Sequence, residues 1–171
     1  MPNQDEVDRL VAAWRHERPD LDVEPLQILS RVTRLARHLD IARRDAFAAH
    51  DLETGEFDVL AALRRSGNPY VLSPSVLLAQ TLVTSGTMTN RIDRLESKGL
   101  VERLPDPNDG RGVLVKLTGA GKKAVDLALT DLLERERLLL DQVTEVQREG
   151  LTRVLREIVL PLDLGSELSD E

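Results

Sequence analysis

Apolar side chains recur at every third or fourth position over most of the chain, a spacing that places them on one face of a helix. A short helix is predicted over about residues 4–16. A longer one follows from Pro25 to about residue 49, because proline is favoured in the first helical turn and Asp22 or Glu24 precedes it. Its apolar face contains Leu26, Leu29, Val32, Leu35, Ala36 and Leu39. That face needs a packing partner.

The last third of the chain carries two further amphipathic stretches. Thr118 is a favourable N-cap for a helix of about six turns. Its apolar positions are Val125, Ala128, Leu129, Leu132, Leu133, Leu139 and Leu140. Thr144 and Gln147 have capping-box spacing and open a last helix, which we expect Pro161 to end, with residues 162–171 frayed. The apolar faces at the two chain ends pack either with each other or with a second copy.

The central part of the chain has a different pattern. Helices are predicted over residues 55–65, 74–81 and 85–98, the last capped by Thr84 or Ser85 and ended by Gly99. Residues 100–104 and 112–117 have the pattern of strands, and the sequence PDPNDGR between them is typical of a turn. Two helices joined by a short turn and followed by a hairpin predict a winged helix. The fold class is therefore mainly α with a small β-hairpin wing (α+β).

A helical wheel of residues 85–98 separates an apolar side from a polar one. The apolar side holds Met88, Ile92 and Leu95, and the polar side holds Thr87, Asn90, Arg91, Arg94 and Lys98. Asn pairs bidentately with adenine, Arg with guanine, and Lys or Arg with phosphate, so the polar side suits the major groove of DNA. An ordinary surface helix has the same pattern, and it is the following hairpin that favours the DNA interpretation.

The hairpin itself supplies a further cation. Arg111 is the predicted tip, where it is suited to the minor groove beside the recognition helix. Asp109 stands two residues earlier and is expected to accept hydrogen bonds from Arg111 and from turn amides. It would hold Arg111 extended.

Charge is unevenly distributed in this chain of 171 residues, whose net charge is −7. Residues 131–171 hold eleven acidic and five basic side chains, a balance of −6, whereas residues 84–116 hold six basic and five acidic, a balance of +1. DNA binding depends on local potential. The acidic total therefore does not exclude a nucleic-acid partner for the central segment.

Other kinds of chemistry lack the residues they need. Cysteine is absent, and His16, His38 and His50 have no metal-ligand spacing and are each expected on a helix surface. No glycine-rich phosphate loop follows a strand. We expect neither an enzyme nor a cofactor. No apolar run approaches the ~20 residues of a membrane span, so we expect no membrane partner and a cytoplasmic location.

The stretch NRIDRLESKGLVERLPDPNDGRGVLVKLT, residues 90–118, resembles the MarR (multiple antibiotic resistance regulator) family of winged helix-turn-helix regulators. Gly110 departs from the family's frequently basic residue there. The resemblance implies a homodimer that represses transcription on a pseudo-palindrome of double-stranded DNA. It divides the chain into dimerisation helices at 1–50 and 119–171 around a DNA-binding lobe at 51–118. The implied DNA-binding residues are Ser85, Gly86, Thr87, Thr89, Asn90, Arg91, Arg94, Asp109 and Arg111.

The resemblance also implies a small-molecule effector that releases the DNA. Trp14, Asp58, Arg65 and Arg91 resemble the ligand set of the urate-responsive branch. In that scheme Asp58 pairs with Arg91, and an anionic ring on Trp14 and Arg65 disturbs the pair. A salicylate-like phenolic or a carboxylate is the alternative effector, for which the long first helix offers cations. These are Arg31, Arg34 and His38.

A second class of function fits the same pattern. Winged helices also bind proteins, and the near-neutral charge of residues 84–116 suits a protein partner. The alternative hypothesis is therefore a winged-helix protein–protein interaction module that does not read DNA sequence.

Overall fold

The structure is a computed structural model that describes residues 4–81, 84–107 and 109–167; of residues 110, 111 and 164–167 it describes the backbone. The chain forms two compact units, Met1–Leu133 and Glu134–Glu171. Its helices and strands follow the order α1 α2 α3 β1 α4 α5 β2 β3 α6 α7. Among the described residues, no helix is long and apolar enough to span a membrane.

Two packed helices open the first unit, α1 (Glu6–Glu17) and α2 (Glu24–Ala48). Val7 and Val11 of α1 are buried with Val23, and Leu26 packs against them. Arg31 adds a polar clamp, since its guanidinium donates to Asp5 at 2.9 and 3.0 Å and to Asp8 at 2.8 Å. Most of the apolar face of α2 is exposed within one chain: Ile28, Leu29, Val32, Leu35 and Ile41.

The start of α2 differs from the prediction. Val23 occupies the N-cap position and makes no side-chain cap bond, while Pro25 lies in the first turn as expected. Asp22 instead accepts a hydrogen bond from the amide of Glu24 at 3.0 Å. The carboxylate thus compensates an unpaired amide of the first turn from one position further upstream.

Three helices form the centre of the first unit: α3 (Thr54–Arg65), α4 (Pro74–Thr81) and α5 (Ser85–Ser97). Five apolar side chains of α3 from Val59 to Leu63 are buried. Phe57 of α3 stacks on Phe47 of α2 with ring centroids 3.9 Å apart, which joins the long helix to the winged-helix core. The core also takes in Leu77, Met88, Ile92 and Leu95.

A three-stranded antiparallel sheet completes the winged helix, in the order β1 (Val71–Leu72), β3 (Asp109–Leu117), β2 (Val101–Asp106). β1 was not predicted, because two residues are too few to show alternation. Its partner Lys116 lies opposite Val71. The β2–β3 ladder reaches the pair Asp106 and Asp109, so the hairpin is longer and its connection shorter than predicted. The strand register shifts between Pro105 and Asp106, an irregularity of the kind at which sheets tolerate proline.

The last two helices are α6 (Gly119–Leu139) and α7 (Glu145–Glu167). Thr118 caps α6 as predicted, accepting from the amide of Gly121 at 3.0 Å. The predicted capping box is present, since Gln147 accepts from the Thr144 amide at 2.9 Å.

The prediction that Pro161 ends the last helix was wrong. Pro161 lies inside α7, where it removes one hydrogen bond while its fixed φ remains helical. The backbone that was predicted to fray after Pro161 is helical up to Glu167. The rest of that prediction, residues 168–171, lies outside the described residues.

The packing between α2 and the winged helix can be tested by a substitution at Phe47. The side chain is 0% exposed and stacked on Phe57, so Phe47→Ala should lower the free energy of unfolding by ~3–5 kcal/mol. Urea unfolding at fixed protein concentration measures the loss. Val113→Ala, at a residue that is 42% exposed in β3, is the control and should cost under about 1 kcal/mol. Equal losses in both variants would contradict the assigned core.

Candidate nucleic-acid interface

Helix α5 begins at a side-chain cap and exposes its first two turns. The Thr84 hydroxyl accepts from the Thr87 amide and lies 2.9 Å from the Thr87 hydroxyl. Met88, Ile92 and Leu95 are buried, which confirms the apolar side of the wheel. The exposed residues of the first turns are Ser85, Gly86, Thr87, Thr89 and Asn90. A polar, uncharged surface therefore stands at the amino-terminal end of the helix.

The second half of α5 is different, because its cations bind within the protein. Lys98 donates to the carboxylate of Glu56 at 3.0 Å and to the carbonyl of Asp51 at 2.6 Å. Arg94 pairs with Glu53 and, at 3.2 Å, with Glu56. Arg94 and Lys98 are exposed, as the helical wheel predicts. In addition, both pair with the buried carboxylate of Glu56 on α3, which the sequence did not indicate.

Arg91 also turns toward α3. Its guanidinium lies over Gly55, where a Cβ atom would be 2.3 Å from Arg91 Cζ. Arg91 Nη1 is buried and has no hydrogen-bond partner. The bare backbone of Gly55 makes this close approach possible, since any side chain there would displace the guanidinium. Arg91 was predicted on the outward face, and the structure places it at the edge of the contact between α3 and α5.

Acidic residues on α5 hold the hairpin. Arg103 of β2 pairs with Asp93 at 2.5 Å and with Glu96, and its amide donates to Glu96 at 3.1 Å. Desolvation opposes these pairs, which together still raise the pKa of Arg103. The wing is thus fixed to the recognition helix by charge as well as by the core.

The wing residues singled out from the sequence lie in β3. Asp109 is exposed and opens the strand, opposite Asp106. Arg111 is the third residue of β3 and lies in the short stretch between Asp109 and Val113 that the strand register leaves without a partner in β2. Its side chain lies outside the described residues, so its place at the tip of the wing stays a prediction. Gly112 packs tightly, since a Cβ there would be 2.9 Å from the Cβ of Asp106.

Asp58 is the centre of the predicted effector set. Burial raises the pKa of this carboxyl, and Arg43, Arg91 and Arg65 oppose the rise. The ion pair that the structure describes for Asp58 is with Arg43 at 3.3 Å, so the predicted direct pair with Arg91 is replaced by one with a cation of α2. Arg91 and Arg65 act on Asp58 through space, and Arg65 is exposed.

No described hydrogen bond or ion pair joins the other predicted effector residues of α1 and α2 to Asp58. Trp14 is 47% exposed on α1, and among the described contacts none joins it to Asp58, Arg65 or Arg91. Arg34 and His38 are exposed on α2, whereas the guanidinium of Arg31 is occupied by Asp5, Asp8 and Gln27. His50 is not on a helix surface as predicted: it is part-buried after α2 and lies 2.8 Å from Asp131.

Two residues of this site, Glu56 and Arg43, were missed from the sequence. A signal for Glu56 existed, because Glu53 and Glu56 have capping-box spacing, and the Glu53 amide donates to Glu56 at 2.9 Å. Arg43 had none, since its approach to Asp58 depends on how α2 and α3 cross.

Comparison with known proteins agrees with this architecture. The model of the MarR family matches residues 50–112. The HTH-type transcriptional regulator PecS of Dickeya dadantii (strain 3937) is 37% identical over 153 residues, which are 90% of this chain and 92% of PecS. The crystal structure of a mutant MarR from E. coli complexed with operator DNA has a TM-score of 0.67 at 30% identity, covering 81% of this chain and 99% of that one.

The helix-turn-helix with its attached hairpin defines a winged-helix transcriptional regulator, which decides against the protein–protein interaction module as the primary class. The chain belongs to the MarR family.

The raised pKa of Asp58 gives a pH test. The native state binds the proton more tightly than the unfolded chain, so this group makes stability rise as pH falls from the native pKa toward the lower pKa of the unfolded chain. Urea unfolding between pH 7 and pH 4 should show wild type gaining stability relative to Asp58→Asn. In the Arg43→Met background the gain should begin at higher pH, because an opposing cation is removed. A gain for Asp58→Asn over wild type on acidification would refute the assignment.

Proposed function

We propose that two copies of this chain bind a pseudo-palindromic DNA operator and that a small anionic effector releases them. The observation that carries the proposal is the exposed, uncharged first two turns of α5 beside a hairpin, in a chain of the MarR family. Asn and Thr side chains at the start of such a helix are suited to base edges in the major groove. The MarR structure with operator DNA supports the same use of the fold.

Apolar surface supports assembly with a second copy. Large aliphatic side chains of α7 are more than one-third exposed within a single chain: Leu151, Val154, Leu155, Ile158, Val159, Leu160 and Leu162. All of them except Leu160 have i, i+3, i+4 spacing and make a continuous face, which is costly to leave in water. We propose that residues 1–50 and 119–171 form the dimerisation region. Two-fold symmetry then presents two α5 helices to successive half-sites.

The residues proposed to read or position DNA fall into two groups. Ser85, Gly86, Thr87, Thr89 and Asn90 form the major-groove group. Asp109 and Arg111 form the wing group, with Arg111 as the proposed minor-groove cation. Arg91 and Arg94 are removed from the direct contacts, because Arg94 is paired with two carboxylates and Arg91 lies over Gly55.

The effector is proposed to act on the charges around Asp58. Asp58, Arg43, Arg65 and Arg91 join α2, α3 and α5 electrostatically. An anion bound by Arg65 or Arg43 would compete with Asp58 for its cations and thereby alter the position of Arg91 on α5. A urate-like purine stacked on Trp14 is the first candidate, and a salicylate-like or carboxylate compound near Arg34 and His38 is the second. We propose no cofactor and no enzymatic step.

A test of operator binding is fluorescence anisotropy on DNA from upstream of the protein's own gene, over a range of salt concentrations. Asn90→Ala should weaken binding by ~1–3 kcal/mol for each base interaction it removes and flatten the preference for one base pair. Arg111→Ala should weaken binding and lower the salt slope by about 1 for each phosphate interaction it removes. Ser97→Ala is the control, because its hydroxyl donates to the Arg94 carbonyl within α5. The proposal would be rejected if operator affinity did not depend on salt concentration and were unchanged in both Asn90→Ala and Arg111→Ala.

The effector is tested by thermal melting and operator affinity with urate, salicylate and citrate. A true effector should raise the melting temperature and lower operator affinity, because it binds the free protein in preference to the complex. Arg65→Met should abolish the urate effect, Arg34→Met that of a carboxylate, and Asp58→Ala should keep the melting shift while removing DNA release. If all three compounds at millimolar concentration change neither quantity, the proposed effectors are wrong.

A further inference from the structure

The most deeply buried charge among the described residues is the carboxylate of Glu56, which is 1% exposed. It lies in the first turn of α3 and receives the amide of Glu53 at 2.9 Å on Oε2. Lys98 donates to the same oxygen at 3.0 Å. Oε1 accepts no hydrogen bond and is compensated by Arg94 Nε at 3.2 Å. An unpaired carboxylate in this environment would be strongly unfavourable, and these two cations compensate its charge.

These two cations lie at the end of α5. Arg94 and Lys98 are four residues apart, on one face of the helix, and both reach the first turn of α3. Lys98 also donates to the Asp51 carbonyl at 2.6 Å, in a turn where Asp51 has a φ of +55°. Lys98 therefore joins the α2–α3 turn to Glu56, and Glu56 is the partner on α3 that Lys98 and Arg94 of the recognition helix share.

We propose that Glu56 is the positioning residue of the DNA-recognition helix and that Arg94 and Lys98 act on DNA through it rather than by contact with phosphate. This inference rests on the proposed operator binding. It predicts that Arg94 and Lys98, in the second half of α5, set the angle at which the first two turns of the helix enter the major groove of DNA. A displacement of this helix by an ångström would misplace every base contact at once.

The salt dependence of operator binding separates positioning from contact. A cation that neutralises a phosphate contributes about 0.9 to the slope of log K against log salt, so removing one from each subunit lowers the slope by about 1.8. Removal of a cation that only positions the helix lowers operator affinity but does not change the slope of log K against log salt. Arg94→Met in the full-length protein should therefore weaken operator binding about tenfold or more with a slope within about 0.5 of wild type.

The double variant supplies the second readout. Glu56→Gln should also lower operator affinity without changing the slope of log K against log salt. The double variant Glu56→Gln/Arg94→Met should bind the operator as well as the single variant that has the lower affinity, because both substitutions break the same contact. Glu102→Gln is the matched control, since this exposed carboxylate of the same lobe pairs with Lys116 across the hairpin. It should leave affinity and slope near wild type. Arg94→Met leaves Glu56 paired with Lys98, so it remains informative where Glu56→Gln unfolds.

A readout without DNA keeps this inference separate from the proposed function. Amide hydrogen exchange at residues 94–99 of the free protein should be faster in Glu56→Gln than in wild type and unchanged in Glu102→Gln. A slope lowered by about 1.8 in Arg94→Met, multiplicative losses of affinity in the double variant, or unchanged exchange would each overturn the positioning role. If wild type fails to bind any operator DNA, operator binding is rejected, and the exchange experiment still decides whether Glu56 holds α5.

Discussion

Neutralisation of the buried Glu56 carboxylate is the constraint on which the arrangement of the winged helix depends. A carboxylate that is 1% exposed needs cations from elements that the chain must bring to it, and α5 supplies both. The apolar contacts of Met88, Ile92 and Leu95 bury the helix but leave rotation and sliding along its axis weakly determined. The hydrogen bond from Lys98 and the ion pair of Arg94 with Glu56 restrict that freedom, and they do so from the end of α5 opposite to the proposed DNA contacts.

Acidic side chains of α5 fix the position of the wing in a similar way. Asp93 and Glu96 bind Arg103 of β2, so the hairpin follows the helix. Aromatic stacking of Phe47 on Phe57 connects this lobe to α2, whose Arg43 pairs with Asp58. A change around Asp58 therefore reaches α5 through two kinds of contact, the packed core and the charges of Arg43 and Arg91. In the proposed function, these contacts couple effector binding to DNA binding.

Much of the fold was predictable because its determinants are local. The caps at Thr84, Thr118 and Thr144 and the buried triplet of α5 follow from spacing alone. β1 was missed, since its two residues gain meaning only from pairing with β3. The continuation of α7 past Pro161 was missed because a proline inside a helix costs one hydrogen bond but does not force the helix to end there. The place of Arg91 over Gly55 and the pairing of Arg94 with Glu56 were missed because a helical wheel shows only which face is polar. Only the tertiary structure shows which side chains of that face also reach a neighbouring helix.

The internal pairing of charges changes how the lobe is expected to attract DNA. Arg103 is paired with carboxylates of α5, while Arg94 and Lys98 are paired with Glu56, which lies outside residues 84–116. The local positive charge is therefore even lower than the balance of +1 for residues 84–116. Long-range attraction by this segment is correspondingly weak, since paired charges cancel beyond a Debye length of ~8–10 Å. Affinity must then depend on short-range complementarity of the first turns of α5 and on two lobes binding together as a dimer, because linking two weak sites multiplies their occupancy. Binding of this kind is sensitive to the orientation of α5, which is the property that we propose Glu56 and the charges around Asp58 to set.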